Sequence, residues 1–229
     1  MLSELSLGIE PALLVRSPEQ LRVIVRIDGV DVSHTDGQDG PGPWDVLVPV
    51  NRFAATDHVT TATVACCPSC GPDCSAIEAR VRREGGLVRW ELRDRRGVRQ
   101  VGESRTVVFD AAAYDAEVAR LEVDRGWEKA MHRAGRLILA DLALPPGIEG
   151  VRVGVIGTGE LEVWLEEPDE YQIWVHAPWD PQRPDESAAV VRAMLAGPAA
   201  EWPAQWHNID AGCEDPPAYA GPSWRRAQW

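Results

Sequence analysis

Lysine is almost missing from this sequence, because Lys129 is its one lysine among 23 basic residues. Acidic residues are common, and 36 aspartates and glutamates leave a formal net charge of -13. A chain of this charge repels nucleic-acid phosphates and the surface of anionic membranes. The composition therefore argues against both as general partners, and it leaves arginine as nearly the sole cation for specific contacts.

Long apolar runs are also missing, since no stretch approaches the roughly 20 apolar residues of a membrane-spanning helix. The first residues carry Glu4 and Glu10 and lack a basic region before an apolar run, so they do not resemble a signal peptide. Five cysteines in 229 residues are too few for a secreted disulfide scaffold. These absences predict a cytoplasmic protein, without a membrane segment, whose thiols stay reduced.

Common catalytic motifs are missing too. The sequence contains no G-x-S-x-G motif and no P-loop, and its five histidines are scattered. The segment VGVIGTG resembles the start of a dinucleotide-binding turn, but Glu162 stands where a third small residue is needed and the following residues alternate like a strand. We therefore interpret residues 157–159 as a hairpin turn, and we predict no catalytic residue and no nucleotide cofactor.

The pattern of apolar and polar residues predicts an α+β fold with mostly antiparallel sheet. Residues 58–65 are rich in β-branched side chains, and residues 77–82 and 88–93 alternate apolar with charged positions across an EGG turn, which is typical of a hairpin. Asp110 is a good N-cap for one long helix near the middle, over residues 111–142, with Gly126 as a point where it can split or bend. A short amphipathic helix follows near the C-terminus.

The domain organisation predicted from this order is one α+β domain over residues 1–229. A subdivision near residue 110 is compatible with it, because strands dominate before that point. Residues 198–229 form a tail that contains five of the prolines and four of the tryptophans. Tryptophans in this number favour docking of the tail on the domain surface.

Four of the five cysteines lie together in the segment ACCPSCGPDC, as Cys66, Cys67, Cys70 and Cys74. Structural zinc takes four thiolate or imidazole ligands, and C-x2-C spacing lets one tight turn present two of them. Reduced structural thiols and redox or disulfide chemistry are the alternatives. The spacing favours a structural zinc ion held by these four residues.

The fourth zinc ligand is the ambiguous one. Successive side chains of a strand point to opposite faces, so Cys66 and Cys67 reach one ion together only if the strand breaks there. Cys66 is the simplest choice, and the alternatives are His58, His207 and Cys213. A deaminase-type catalytic zinc would pair P-C-x2-C with an upstream H-x-E, and the sequence has no such tripeptide.

The segment from Ala76 to Arg105 is the positively charged part of an acidic chain, with nine arginines and five acids. On the predicted hairpin its charged positions share the face away from the core. We identify four of these arginines as the candidate partner-binding residues: Arg80, Arg82, Arg89 and Arg93.

The cysteine-rich turn, the ARVRR and VRWEL strands, the FDAAAYDAEVAR segment and the WPAQWHNI segment together resemble a family of proteins from GC-rich bacteria. That family has a cysteine-rich turn before an Arg-rich β-hairpin and no established activity. Its pattern is Cys-x-Cys with a more distant cysteine, whereas this chain has Cys67-x2-Cys70 and an additional Cys66. The resemblance covers residues 20–209 and implies no activity.

The function expected from these features is a non-enzymatic, zinc-stabilised cytoplasmic module that binds a protein partner, such as an immunity-type inhibitor or an adaptor. One alternative is a metal-dependent hydrolytic enzyme at the cysteine loop. Another is nucleic-acid binding through the Arg-rich hairpin, which the net charge disfavours.

Overall fold

The computed structural model describes residues 1–13, 20–35, 37–96, 100–140, 142–148, 150–156, 159–167, 170–209 and 215–227. Cys213, Gly157 and Thr158 lie outside these ranges. The chain divides into two compact units, Met1–Trp127 and Glu128–Trp229. The residue pattern predicts one domain with a subdivision near residue 110, and the contacts within the chain place the division between Trp127 and Glu128.

The first unit contains two antiparallel sheets. One has the order β1-β2-β3, with β1 Leu5–Pro11, β2 Leu21–Ile27 and β3 Val30–Asp31. The other has the order β4-β5-β6-β7, with β4 Thr60–Cys67, β5 Gly71–Glu84, β6 Leu87–Arg96 and β7 Gln100–Asp110. Glu84 lies opposite Leu87 in the register of β5 and β6, which confirms the hairpin predicted across the EGG turn.

The described residues of this unit form two helices, α1 at Pro43–Leu47 and α2 at Ala111–Val123. The carboxylate of Asp110 accepts a hydrogen bond of 3.0 Å from the backbone N–H of Ala113, which confirms the predicted N-cap. The helix α2 packs against β1, β6 and β7. It thereby covers the part of the four-stranded sheet that β6 and β7 form.

An aromatic cluster fills the core under α2. Trp90 of β6 stacks on Phe53 with ring centroids 5.8 Å apart and meets Phe109 of β7 edge to face at 5.4 Å. The indole N–H of Trp90 donates to the hydroxyl of Tyr114 at 3.1 Å, and that hydroxyl donates to the carbonyl oxygen of Phe53 at 2.6 Å. All four side chains are buried, so this cluster supports the sheet that carries the cysteines.

The second unit is built on one five-stranded sheet of order β12-β11-β10-β9-β8. Its strands are β8 Gly150–Ile156, β9 Glu160–Glu167, β10 Tyr171–Pro178, β11 Ala204–Asn208 and β12 Arg225–Arg226, and they pair antiparallel except for β11 with β12. The helices α3 Ala130–Leu139 and α4 Pro184–Leu195 pack together, α3 contacting β8 and α4 contacting β10. The strands β8 and β9 pair antiparallel up to Ile156 opposite Glu160, as the predicted hairpin requires, while Gly157 and Thr158 of its turn lie outside the described residues.

The Pro- and Trp-rich residues 198–229 contribute to this sheet. They supply a 3-10 helix at Ala199–Glu201 and the strands β11 and β12. Trp202 and Trp224 are buried and stack with ring centroids 6.3 Å apart. Much of the described part of the tail is therefore a structural element of the second unit.

The α+β fold with mostly antiparallel sheet is confirmed, but the single long helix is not. Two helices, α2 and α3, stand in its place, separated by residues 124–129. Asp124 ends α2 in an extended conformation, and its side chain accepts a hydrogen bond of 2.9 Å from the N–H of Gly126. The helices of the described chain are all too short or too polar to traverse a bilayer.

Candidate metal centre

The cysteine segment forms the end of the hairpin of β4 and β5. Cys67 closes β4 and lies opposite Gly71, the first residue of β5, so residues 68–70 make the turn. Gly71 has φ +70, a left-handed conformation that costs a side-chain-bearing residue roughly 1 kcal/mol or more. This glycine lets the chain reverse tightly enough to bring Cys70 back beside Cys67.

A four-residue bulge in β5 brings the third cysteine to the same place. The register steps from Cys67 opposite Gly71 to Cys66 opposite Ala76, so residues 72–75 have no partner in β4. Bulges bend a strand and re-aim its side chains. Cys74 lies in this bulge and is thereby directed to the turn that carries Cys67 and Cys70.

The three sulfur atoms form a compact group. The Sγ atoms of Cys67, Cys70 and Cys74 all lie within 4.8 Å of one another, and the Sγ of Cys70 is 3.3 Å from that of Cys67. Cys70 and Cys74 are exposed and Cys67 is half-buried. Three soft donors at this spacing are compatible with one bound metal ion.

The turn stabilises a negative charge on one of these sulfurs. The backbone N–H groups of Ser69 and Cys70 and the thiols of Cys70 and Cys74 all donate to Cys67, which lowers the pKa of its thiol to about 7. Donation by the Cys70 thiol to Cys74 and Cys67 raises the pKa of Cys70 to about 12. In the metal-free group the first thiolate therefore forms at Cys67.

Cys66, the predicted fourth ligand, does not belong to this group. The strand β4 does not break at Cys66, because Asp39 pairs with its backbone through two hydrogen bonds of 2.8 and 2.9 Å. Cys66 and Cys67 therefore point to opposite faces. Burial, followed by the charge of Asp45, raises the pKa of the Cys66 thiol to about 11.

Of the other candidates for the fourth ligand, His58 is the one that lies in the same unit as the three sulfurs. His58 is exposed and lies before β4, where its backbone N–H donates to the hydroxyl of Thr56 at 3.2 Å. Its side chain is not part of the three-sulfur group. His207 lies in β11 of the second unit, and Cys213 lies outside the described residues. Within the described chain, three of the predicted sulfur ligands meet.

The charged side of the hairpin of β5 and β6 is called here the Arg–Glu face. It consists of Glu78, Arg80, Arg82, Glu84, Arg89, Glu91 and Arg93. Arg80 pairs with Glu91 at 3.3 Å, and Arg93 pairs with the same carboxylate at 2.7 Å. Arg89 pairs with Glu84 at 3.0 Å. The four predicted partner-binding arginines therefore share one face, and three of them form ion pairs with two glutamates, Glu91 and Glu84.

Arg82 differs from its neighbours on this face. It is exposed and lies directly opposite Arg89 in the strand register. Among the described residues it makes no ion pair or hydrogen bond. Like charges placed opposite each other across two strands are destabilising. Arg82 and Arg89 therefore repel each other, and an acidic ligand bound at this place would remove the repulsion.

Two residues that support the cysteines were not singled out from the sequence. Arg95 donates a hydrogen bond of 2.6 Å to the carbonyl oxygen of Pro72 in the bulge and pairs with Glu78 at 3.2 Å. The sequence does hold a signal for Arg95. Pairing residues outward along both strands from the EGG turn places Arg95 opposite Ala76, beside the cysteine segment. Asp39, which holds Cys66 in β4, forms a buried ion pair with Arg22 at 3.1 Å, and no sequence signal links that loop to β4.

Comparisons with known proteins give this chain no relatives. No protein-family model matches it, and neither the search of curated proteins nor that of solved structures finds a match. The function must therefore be argued from the site alone. The three-thiol group is the feature of the described chain with the most specific chemistry.

Proposed function

We propose that this chain is a non-enzymatic, zinc-stabilised module that binds a protein partner in the cytoplasm. One observation carries the proposal: the Sγ atoms of Cys67, Cys70 and Cys74 lie within 4.8 Å of one another on a hairpin end. Zinc is the common intracellular ion for clustered thiolates, and it undergoes no redox change when it stabilises a fold. The cytoplasm suits the site because thiols stay reduced there.

Zinc at this place would connect three different parts of the hairpin end. Cys67 belongs to β4, Cys70 to the turn, and Cys74 to the bulge of β5. The bulge forms no strand pairing with β4, so the metal would connect these two segments where backbone hydrogen bonds do not. Since the ion binds the folded hairpin and finds no organised site in the unfolded chain, its binding energy stabilises the fold.

The core of the first unit does not depend on this connection. Trp90, Phe109 and Tyr114 are buried beneath α2 and are held by their own ring contacts and hydrogen bonds. Removal of zinc is therefore expected to loosen the hairpin end without unfolding the unit.

A thermal melt with and without a chelator tests the zinc-stabilised state. We expect the chelator to lower the melting temperature of the wild-type protein and to have no further effect on Cys70→Ser, which already lacks a ligand. Cys66→Ser is the matched control, because Cys66 is outside the three-thiol group. An unchanged melting temperature of the wild type would contradict the proposal.

The Arg–Glu face is the surface that we propose for the partner, through Arg80, Arg82, Arg89 and Arg93. Two glutamates already pair with three of these arginines, so the face offers alternating charge with an excess of arginine. Among the described residues Arg82 is the one of the four that forms no ion pair. Such a pattern fits an acidic segment of a protein better than a continuous polyphosphate. The phosphates of a polyphosphate follow one another without a break, so the three glutamates of the face would repel some of them.

Capture from a lysate of the source cells tests this surface. A tagged wild-type chain is compared with Arg82→Glu, which reverses the free charge and gives Arg89 an opposite charge across the strands, so the fold is retained. Arg192→Glu, on the exposed side of α4 in the second unit, is the control for charge. We expect one protein to be lost with Arg82→Glu alone. Equal capture by all three chains, or capture of nucleic acid instead, would contradict the assignment.

A further inference from the structure

We propose that the metal held by Cys67, Cys70 and Cys74 keeps one coordination position for a thiolate that comes from outside the chain. This inference rests on the proposed function, because it concerns the same metal ion. It adds the class of ligand that the site takes. Three features of the hairpin end lead to it: the number of sulfur atoms that meet, the direction of Cys66, and the exposure of the group.

The number of donors leaves the site incomplete within the described chain. A structural zinc ion takes four protein ligands in a tetrahedron, whereas a site with three protein ligands keeps the fourth position for water or another molecule. The group of metal-ligating atoms within 4.8 Å of one another contains three sulfurs and no histidine or carboxylate from the described residues. The geometry is therefore that of an open site.

Cys66 is the nearest further cysteine in sequence, and its backbone cannot turn toward the metal at low cost. Asp39 pairs with it on one side through hydrogen bonds of 2.8 and 2.9 Å, and Ala76 lies opposite it on the other side. Rotating this residue would break the two hydrogen bonds to Asp39, each worth roughly 1 kcal/mol, and would disturb its pairing with Ala76. Asp39 is itself fixed by its buried ion pair with Arg22. The surrounding chain thus holds Cys66 away from the group.

The exposure of the group lets an external ligand approach. Cys70 and Cys74 are exposed at the end of the hairpin, and Cys67 is half-buried. An incoming donor can reach this end of the hairpin without displacing a strand.

The chemistry of the surroundings favours a thiolate as that donor. Three sulfur ligands make the metal soft, and soft ions take further sulfur readily. Backbone N–H groups of Ser69 and Cys70 point at the Cys67 sulfur and stabilise negative charge there. The guanidinium of Arg95, bound to the carbonyl of Pro72 in the same bulge, adds a positive charge close by.

The exchange is a ligand substitution without a change of oxidation state. The incoming thiol releases its proton to solvent, its sulfur bonds to the metal, and the water that occupied the fourth position leaves. The thiolate can come from a small cellular thiol or from a cysteine of the protein partner. In the second case the metal joins the two proteins directly.

Cobalt substitution of the full chain tests this, because sulfur-to-cobalt charge-transfer absorption grows with the number of bound thiolates. The cobalt-loaded protein is titrated with reduced glutathione in one arm and with N-acetylcysteinamide, which mimics a cysteine side chain, in the other. We expect the absorption to rise by about a third, as three thiolates become four. Saturation by glutathione alone indicates a small thiol, and equal saturation by both indicates any accessible cysteine.

Cysteine variants distinguish a failure of the open fourth position from a failure of the metal site itself. Cys66→Ser and Cys213→Ser are expected to keep the wild-type spectrum and its response to thiol, whereas Cys74→Ser, which lacks one of the three ligands, is expected to lose the metal and with it the charge-transfer absorption. Full absorption before thiol is added, with a loss in Cys66→Ser or Cys213→Ser, would overturn the open position and leave the metal site standing. Cobalt that leaves with the added thiol would also overturn it. Absence of any cobalt spectrum would overturn the proposed function itself.

Discussion

Arg95 donates a hydrogen bond of 2.6 Å to the carbonyl oxygen of Pro72, so the strand β6 holds the bulge that carries Cys74. The same guanidinium pairs with Glu78 of β5 at 3.2 Å. Because this arginine contacts the bulge and is not itself a ligand, its place in the site is that of a positioning residue. Residues of this kind commonly tune metal affinity.

We therefore expect Arg95→Ala to weaken zinc binding by about tenfold. Without the guanidinium the bulge is free to move, and Cys74 is no longer held beside Cys67 and Cys70. Competition with a chromophoric chelator measures the affinity. The control is Arg93→Ala, which removes an equal charge whose partner is Glu91 on the Arg–Glu face. Equal affinities for both variants would argue against a positioning role.

The reactivity of the metal-free thiols is the second prediction. The hydrogen bonds from Ser69 and Cys70 lower the pKa of Cys67 to about 7, whereas the pKa of Cys70 is raised to about 12. Alkylation of Cys67 by iodoacetamide should therefore rise between about pH 6 and pH 8, while Cys70 reacts slowly. Mass spectrometry of the peptides gives the order of labelling.

Two comparisons support the interpretation of that order. Bound zinc should suppress the alkylation of Cys67, and denatured protein should show thiols that titrate near their ordinary value. The lowered pKa would be disproved by labelling of Cys70 before Cys67 in the folded, metal-free chain.

Much of the first unit could be predicted from local pattern. Alternation over residues 77–82 and 88–93 predicts the hairpin, and its two-residue period also places the arginines on one face. The spacing of Cys67 and Cys70 predicts that a tight turn brings these two sulfurs together. The place of Cys74 depends in addition on the bulge in β5, which Arg95 of β6 contacts.

The features that were wrong or missed depend on contacts between distant residues. Cys66 stays in β4 because Asp39 pairs with it, and no local pattern reports a partner 27 positions earlier. The single long helix was predicted because helical periodicity continues on both sides of Gly126. The strand β1 was missed because its short sequence, LSLGIEP, is stabilised by pairing with β2.

The Tyr114 hydroxyl provides a third prediction. Its loss in Tyr114→Phe leaves the Trp90 indole N–H and the Phe53 carbonyl without their buried partner. This should cost about 1–3 kcal/mol of the stability of the first unit. Amide hydrogen exchange in β6 and β7 reports that unit separately. Tyr219→Phe, which removes a contact to Glu167 in the second unit, should leave those amides unaffected.

Stability at the Arg–Glu face is the fourth prediction. Arg80→Ala loses an exposed ion pair with Glu91 and should change stability by less than about 1 kcal/mol. Arg82→Ala should be neutral or slightly stabilising, because it relieves the repulsion from Arg89. Chemical denaturation compares the two variants. A loss well above 1 kcal/mol at Arg82 would mean that this arginine supports the fold and is not reserved for a partner.

The central claim is that Cys67, Cys70 and Cys74 hold one zinc ion. Elemental analysis of the full chain, purified without a histidine tag and with reduced, unmodified thiols, tests it most directly. We predict about one zinc per chain, retained in Cys66→Ser and lost in Cys70→Ser. Less than about 0.2 zinc per wild-type chain would contradict the claim and leave the three thiols as a cluster without a metal.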